Sequence, residues 1–181
     1  FGKRVSDQGS IIFNIIGGKS EGENLYFKEY DDPETDSGFS KGLDGDNYFG
    51  SRLELSYFNF SLSILGATRT KHIPTAAWEM AFNQGDPLTR DDHFYIGLHY
   101  DKNLGASRSI SADLSGDYYY EEGMYAYLDE DYLYYWEELT ETIGYSGELR
   151  FLWDISVQNR LVTGIDIQSA PRAFYMEWDE W

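Results

Sequence analysis

The chain has 181 residues, a net charge of −18, no cysteine, and contents of 41% hydrophobic and 18% aromatic residues. The charge argues against nucleic-acid binding, the missing cysteines exclude disulfides and thiolate chemistry, and the aromatic content is too high for a disordered chain. No run reaches 18 consecutive apolar residues, so no membrane helix is encoded; the mean hydropathy of −0.53 leaves a membrane barrel open, because barrel strands are apolar only at alternate positions.

From the N-terminus, Phe1–Arg4 reads as the end of an earlier strand and Val5–Gly9 as a turn. Gly9–Gly18 is a strand with apolar residues on both faces. Lys19–Asn47 is a long loop rich in turn formers (Glu21-Gly22, Asp32-Pro33, Ser37-Gly38, Asp44-Gly45), and Leu25–Tyr30 inside it is either a short strand or the projecting end of the previous one. Tyr48–Lys71 is the clearest signal. Phe49, Leu53, Leu55 and Tyr57 share one face of its first strand, and Phe60, Leu62 and Ile64 share one face of its second. With Phe58-Asn59 as the turn, Tyr57 faces Phe60, Leu55 faces Leu62 and Leu53 faces Ile64, so every apolar residue meets another.

His72–Asp91 reads as a second long loop, with Pro74 and Gly85-Asp86-Pro87. Asp92–Tyr100 and Ser107–Tyr120 are alternating strands joined by the short link Asp101–Ala106. Glu121–Glu141 reads as a third long loop. Thr142–Asp154 and Arg160–Gln168 are the last two strands, joined near Ser156–Asn159, and the tail from Ser169 opens another loop. The seven long strands are of roughly 9–13 residues, enough to cross a bilayer at a tilt. Short and long connections alternate, and aromatic residues cluster near strand ends at Tyr48, Tyr57, Phe60, Tyr100, Tyr118–Tyr120, Tyr145 and Trp153. The expectation is an all-β, antiparallel up-and-down transmembrane β-barrel segment with short periplasmic turns and long extracellular loops. The alternative is a soluble antiparallel sandwich. Barrels of this kind usually have even strand numbers, and the chain begins at Phe1 rather than Met, so the seven strands are expected to be an arc of a longer wall.

Acidic charge gathers in two stretches: six acids against Lys41 over residues 31–47, and eight acids with no Lys or Arg over 121–141. This reads either as a solvated surface or as attraction for cationic or metal-bearing ligands. Asp32-x-Glu34-x-Asp36 lacks the glycine and final glutamate of a calcium loop. His93 and His99 lie about 20 Å apart on one extended strand and cannot share an ion. Arg52, Glu54, Arg69, Lys71, Asp113, Asp117, Glu148, Arg150 and Asp166 fall on polar faces, where they line a lumen in a barrel. No nucleophile–base constellation, phosphate loop or cofactor motif appears, so the expectation is a protein that is not an enzyme and needs no cofactor.

Arg69-Thr70-Lys71-His72-Ile73-Pro74-Thr75 resembles the barrel of TonB-dependent receptors, transporters of the Gram-negative outer membrane. The resemblance extends to Leu25-Tyr26-Phe27-Lys28-Glu29-Tyr30-Asp31-Asp32-Pro33, Gly42-Leu43-Asp44-Gly45-Asp46, Phe82, Thr89-x-Asp91 and Gly147-Glu148-Leu149, and runs roughly from Gly9 to Asp166. It implies a 22-stranded barrel, an N-terminal plug domain, and uptake of a ferric siderophore, haem, cobalamin or a glycan energised by the TonB complex. Residues 1–181 match barrel wall and outer loops; neither a plug nor a TonB-contacting segment is visible. The implied partners are outer-membrane lipid, the plug of the same full-length chain, the TonB complex through other segments, and a small-molecule or metal-chelate ligand. The resemblance also places Leu25–Tyr30 in the first outer loop. Positional candidates for ligand contact are Arg69 and Lys71 near the outer rim, and Trp78 and Trp136 in loops. The rival expectations are a passive porin or adhesin barrel, and a soluble carbohydrate-binding sandwich that uses the many Tyr and Trp residues.

Overall fold

The computed structural model describes residues 1–180. The strands are β1 (Gly2–Ser6), β2 (Gly9–Ser20), β3 (Leu25–Tyr26), β4 (Phe39–Ser40), β5 (Asp46–Tyr57), β6 (Phe60–His72), β7 (Leu88–Asn103), β8 (Arg108–Asp129), β9 (Tyr132–Ser156) and β10 (Asn159–Glu180). Eight of them form one antiparallel up-and-down sheet in the order β1-β2-β5-β6-β7-β8-β9-β10, while β3 and β4 pair separately. The sheet is open, with β1 and β10 as its edges.

The β5–β6 hairpin has the register its alternation predicts: Tyr57 opposite Phe60, Leu55 opposite Leu62, Leu53 opposite Ile64. Its turn holds Phe58 at φ 52°, a left-handed conformation uncommon for a bulky residue but required at the first central position of a primed hairpin turn. Gly2–Arg4 of the expected strand end lies in β1, a short eighth strand that also takes Val5 and Ser6 from the expected turn. Leu25–Tyr30 does not enter the main sheet: Leu25 and Tyr26 pair with Ser40 and Phe39, and Lys28–Tyr30 forms a 3₁₀ turn.

Two stretches expected to be loops are strands. Glu121–Glu141 continues β8 and β9 into a long hairpin that turns between Asp129 and Tyr132. Its acids suggest a solvated loop, but Tyr, Trp, Leu and Thr at alternate positions meet across the strands, with Tyr127 opposite Tyr134 and Leu128 opposite Leu133, and this pairing decides the conformation. The tail from Ser169 continues as β10 through a bulge between Ser169 and Arg172. Pro171 sits inside that bulge on an edge strand, where its missing N–H costs no ladder bond. Trp181, the last residue of the tail, lies outside the described residues.

Cross-strand register sorts the sheet into two faces. From β2 to β10 one face carries an uncharged apolar band, in which Phe13, Leu53, Ile64 and Ile96 form one row and Leu55, Leu62, Leu98 and Leu114 form part of the next. Lys3 interrupts it only on edge strand β1. The band is uncovered: Leu114 is 59% exposed, Ile165 60% and Ile167 63%. Among the described residues, the buried apolar side chains are Leu43, Met80, Ala81, Phe82 and Ala126, all at the long-loop end of the sheet. There Phe82 stacks on Tyr30 at 4.2 Å and meets Phe27 edge-on, joining the 21–45 and 73–87 connections. The opposite face is mainly polar and pairs its groups locally: Arg52 with Glu54 and Arg150 with Glu148 as ion pairs, and His99 Nδ1 with Asp113 Oδ1 in a hydrogen bond of 2.7 Å.

Aromatic rows bound the band at both ends. Toward the short turns lie Tyr57, Phe60, Tyr100 and Trp153; toward the long loops lie Phe49, Phe94, Tyr118 and Tyr145. On β5 and on β9 the two borders are eight residues apart, roughly 27 Å along the strand. Between these strands both borders slide four residues toward the turns relative to the hydrogen-bonded rows, since Tyr57 is level with Leu149 rather than Trp153, and Phe49 with Glu141 rather than Tyr145. Over four inter-strand gaps this is a tilt on the order of 35° between strands and band. Beyond the upper border the same face turns polar, with Thr68, Thr70, Arg90, Asp92, Glu122 and Glu141.

Candidate functional site

The four short turns share one end of the sheet, and the long connections and the β8–β9 projection share the other. At that second end Arg69 and Lys71 lie on the polar face of β6. Arg69 holds Asp46 in a two-pronged pair, Nε to Oδ1 at 3.1 Å and Nη2 to Oδ2 at 2.6 Å. Lys71 Nζ donates to the Asp44 carbonyl at 2.9 Å and pairs with its carboxylate. Hydrogen bonds from Lys71 and Arg69 hold the Asp44 and Asp46 carboxyls below their ordinary range. With His72 N–H donating to Gly45 O at 2.9 Å, these contacts fasten the end of the 21–45 connection to β6.

Trp78 and Trp136, 58 residues apart in sequence, line one cleft of about 360 Å³ together with Tyr125, Tyr127, Tyr134 and Glu138. Trp136 lies in β9 rather than in a loop, directly opposite Tyr125. Tyr127 and Tyr134 stack with centroids 5.7 Å apart, which also stabilises the hairpin. Trp78 belongs to a short 3₁₀ turn, Ala77–Glu79, where it and Glu79 take φ of 54° and 66°. This left-handed pair holds the indole edge-on to Tyr125 at 5.8 Å while leaving it 72% exposed. Ala81 N–H donates to Ala126 O at 2.8 Å and so caps the β8 edge that β7 leaves open above Leu88. Burial raises the Tyr125 and Tyr127 hydroxyls above their ordinary value, and Glu138 adds to both shifts.

Arg69 and Lys71 are not among the residues lining this cleft, which lies two strands over and about four residues higher than Arg69. Sequence reasoning named the two tryptophans but missed Tyr125, Tyr127, Tyr134 and Glu138. The period-2 spacing of Tyr125-x-Tyr127 and Tyr134-x-Trp136-x-Glu138 was the available signal, masked by the acids between them. Among the described residues no group of three His, Cys, Asp or Glu side chains is placed to hold a metal ion. Comparison with protein-family models, with curated proteins and with solved structures returns no match.

Proposed function

We propose that this chain is part of the wall of a Gram-negative outer-membrane β-barrel of the TonB-dependent receptor kind, serving energised uptake of a scarce solute such as a ferric siderophore, haem, cobalamin or a glycan. The observation that carries the membrane reading is the uncovered, charge-free band between two aromatic rows that slide together along the strands. A flat apolar slab crossed by strands tilted near 35–45° requires this offset, and the 27 Å borders then span about 20 Å along the slab normal, in the range of a thin outer membrane. A water-facing patch roughly 30 Å wide and 27 Å tall exceeds what soluble monomers leave open. The receptor reading is supported by the order of the motifs from Leu25 to Leu149, and by outer connections that fold into a packed cap. The open edges at β1 and β10 are where further wall strands pair, and the ion-paired polar face lines the lumen beside a plug.

Single cysteines read with a lipid-soluble label in native membranes test the band. Labelling at Leu53, Leu62, Leu98 and Phe151 but not at Arg52 or Ser63 is expected; protection of all four apolar sites would mean a soluble sheet covered by protein. An antibody to the chain adds the receptor test. The expected band is several-fold larger than 20.9 kDa, fractionates with the outer membrane and shifts on boiling. A soluble band near that mass removes the receptor reading.

A further inference from the structure

We infer that the cleft between the β8–β9 hairpin and the 73–87 connection is a binding site for a small organic cation of the quaternary-ammonium class. The argument stands on the cleft itself and does not depend on the membrane reading. Five aromatic rings and one carboxylate form its lining: Trp78, Tyr125, Tyr127, Tyr134, Trp136 and Glu138. Aromatic faces attract a poorly hydrated cation, most strongly when several rings surround it out of bulk water. The volume, about 360 Å³, lies at the small end of ligand pockets.

The charges around the rings select the sign of the ligand. Glu138 and Glu121 act on Tyr125, and Glu138 and Glu79 act on Tyr127, with no cation opposing them at either ring. The hairpin from Glu121 to Glu141 contains eight acids and no Lys or Arg. A carboxylate or phosphate ligand meets repulsion here. A neutral sugar can stack on the rings and donate hydroxyls to a carboxylate, but it leaves the negative charge of the three carboxylates uncompensated. An alkylammonium ion uses both, with its methyl groups against the rings and its charge facing Glu138. A strongly hydrated metal ion gains little from the rings, and no three-ligand metal group stands among the described residues. The left-handed backbone at Trp78 and Glu79 sets the fifth wall, so the site requires the folded 73–87 connection as well as the hairpin.

The test uses the 181-residue chain in a polyoxyethylene detergent, which carries neither a cationic nor a sugar headgroup, with its strand content confirmed by circular dichroism. Choline chloride is titrated against tryptophan fluorescence at constant ionic strength, beside sodium chloride, maltose and 3,3-dimethylbutanol, the uncharged carbon isostere of choline. Choline is expected to saturate in the order of millimolar concentrations. The isostere and sodium are expected to give no saturable change, and phosphocholine to bind at least about tenfold more weakly because its phosphate meets Glu138. Glu138→Gln, which keeps the cleft's shape, and Trp78→Ala, which removes an exposed side chain and leaves the hairpin intact, are each expected to weaken choline about tenfold. Equal binding of choline and its isostere, phosphocholine binding tighter than choline, or an unchanged response in E138Q overturns the proposal. So does a folded protein that answers only to maltose, which would make the cleft a sugar platform.

Discussion

The lower and upper halves of this sheet share one backbone pattern and differ in what their side chains meet. Below the row Phe49, Phe94, Tyr118 and Tyr145, strands alternate, with one face apolar and uncovered and the other mainly polar and locally ion-paired. Above it, apolar and aromatic residues occupy both faces of the β8–β9 hairpin, and the connections fold down to bury Met80, Ala81 and Phe82. The upper half therefore builds a water-style core, while the lower half has none and leaves its apolar face uncovered. The difference shows that alternation alone does not identify a membrane strand. What the membrane proposal adds to alternation is an apolar side with nothing packed on it.

Placing a charge in each half gives the sharpest break of this comparison. Leu114→Arg, at the band's middle, is expected to cost up to about 4 kcal/mol of folding free energy in lipid vesicles, whereas Leu128→Arg at the hairpin tip is expected to cost under about 1 kcal/mol. Denaturant titration measures both, and equal costs would dissolve the distinction between the halves. Phe82→Ala tests the upper core from the other side. Loss of the ring stacked on Tyr30 is expected to cost about 3 kcal/mol, confined to the cap. Amide exchange is expected to rise across 21–45 and 73–87 and stay unchanged in β5–β7; a uniform rise would mean that cap and wall unfold as one unit.

A smaller effect follows from acid. Asp44 and Asp46 have depressed carboxyl pKa values in the folded chain, chiefly from hydrogen bonds with Lys71 and Arg69. Their contribution is complete above the unfolded value of about 4 and disappears as pH falls through the folded values. The 21–45 connection is thus expected to loosen below about pH 4, with exchange there rising before exchange in the wall. Lys71→Met combined with Arg69→Met is expected to remove this pH dependence. The smallest change is at the other end of the sheet, where Phe58→Gly relieves a left-handed backbone. It is expected to raise stability by about 0.5 to 1 kcal/mol, less whatever the 4.5 Å contact between Phe58 and Tyr57 contributes. Thermal or denaturant midpoints measure it.

The β5–β6 hairpin was legible residue by residue. With Phe58-Asn59 as the turn, Leu53, Leu55 and Tyr57 each meet an apolar partner, and a slip by one position would turn every side chain to the other face. Leu25–Tyr30 was ambiguous because six residues with mixed faces carry no period long enough to decide. The hairpin from Glu121 to Glu141 was misread for the opposite reason: its alternation was present, but acids on both faces outweighed it as a loop signal. The tail from Ser169 was read as a loop; it runs on as β10, with Pro171 accommodated in the bulge on an edge strand.

The sequence by itself determined the strands of the lower half, the register of the β5–β6 hairpin, the long-and-short rhythm of the connections and, outside β2, the sorting of polar from apolar faces, because each of these follows from local periodicity and turn chemistry. Tertiary structure alone decided that Trp78 and Trp136 share a cleft, that Arg69 and Lys71 fasten a connection, and that the aromatic borders slide together across five strands. Those depend on how far each strand runs past its neighbour and where a connection lands on an open edge. Such distances are set by the packing of segments separated by tens of residues, and no periodic pattern in the chain records them.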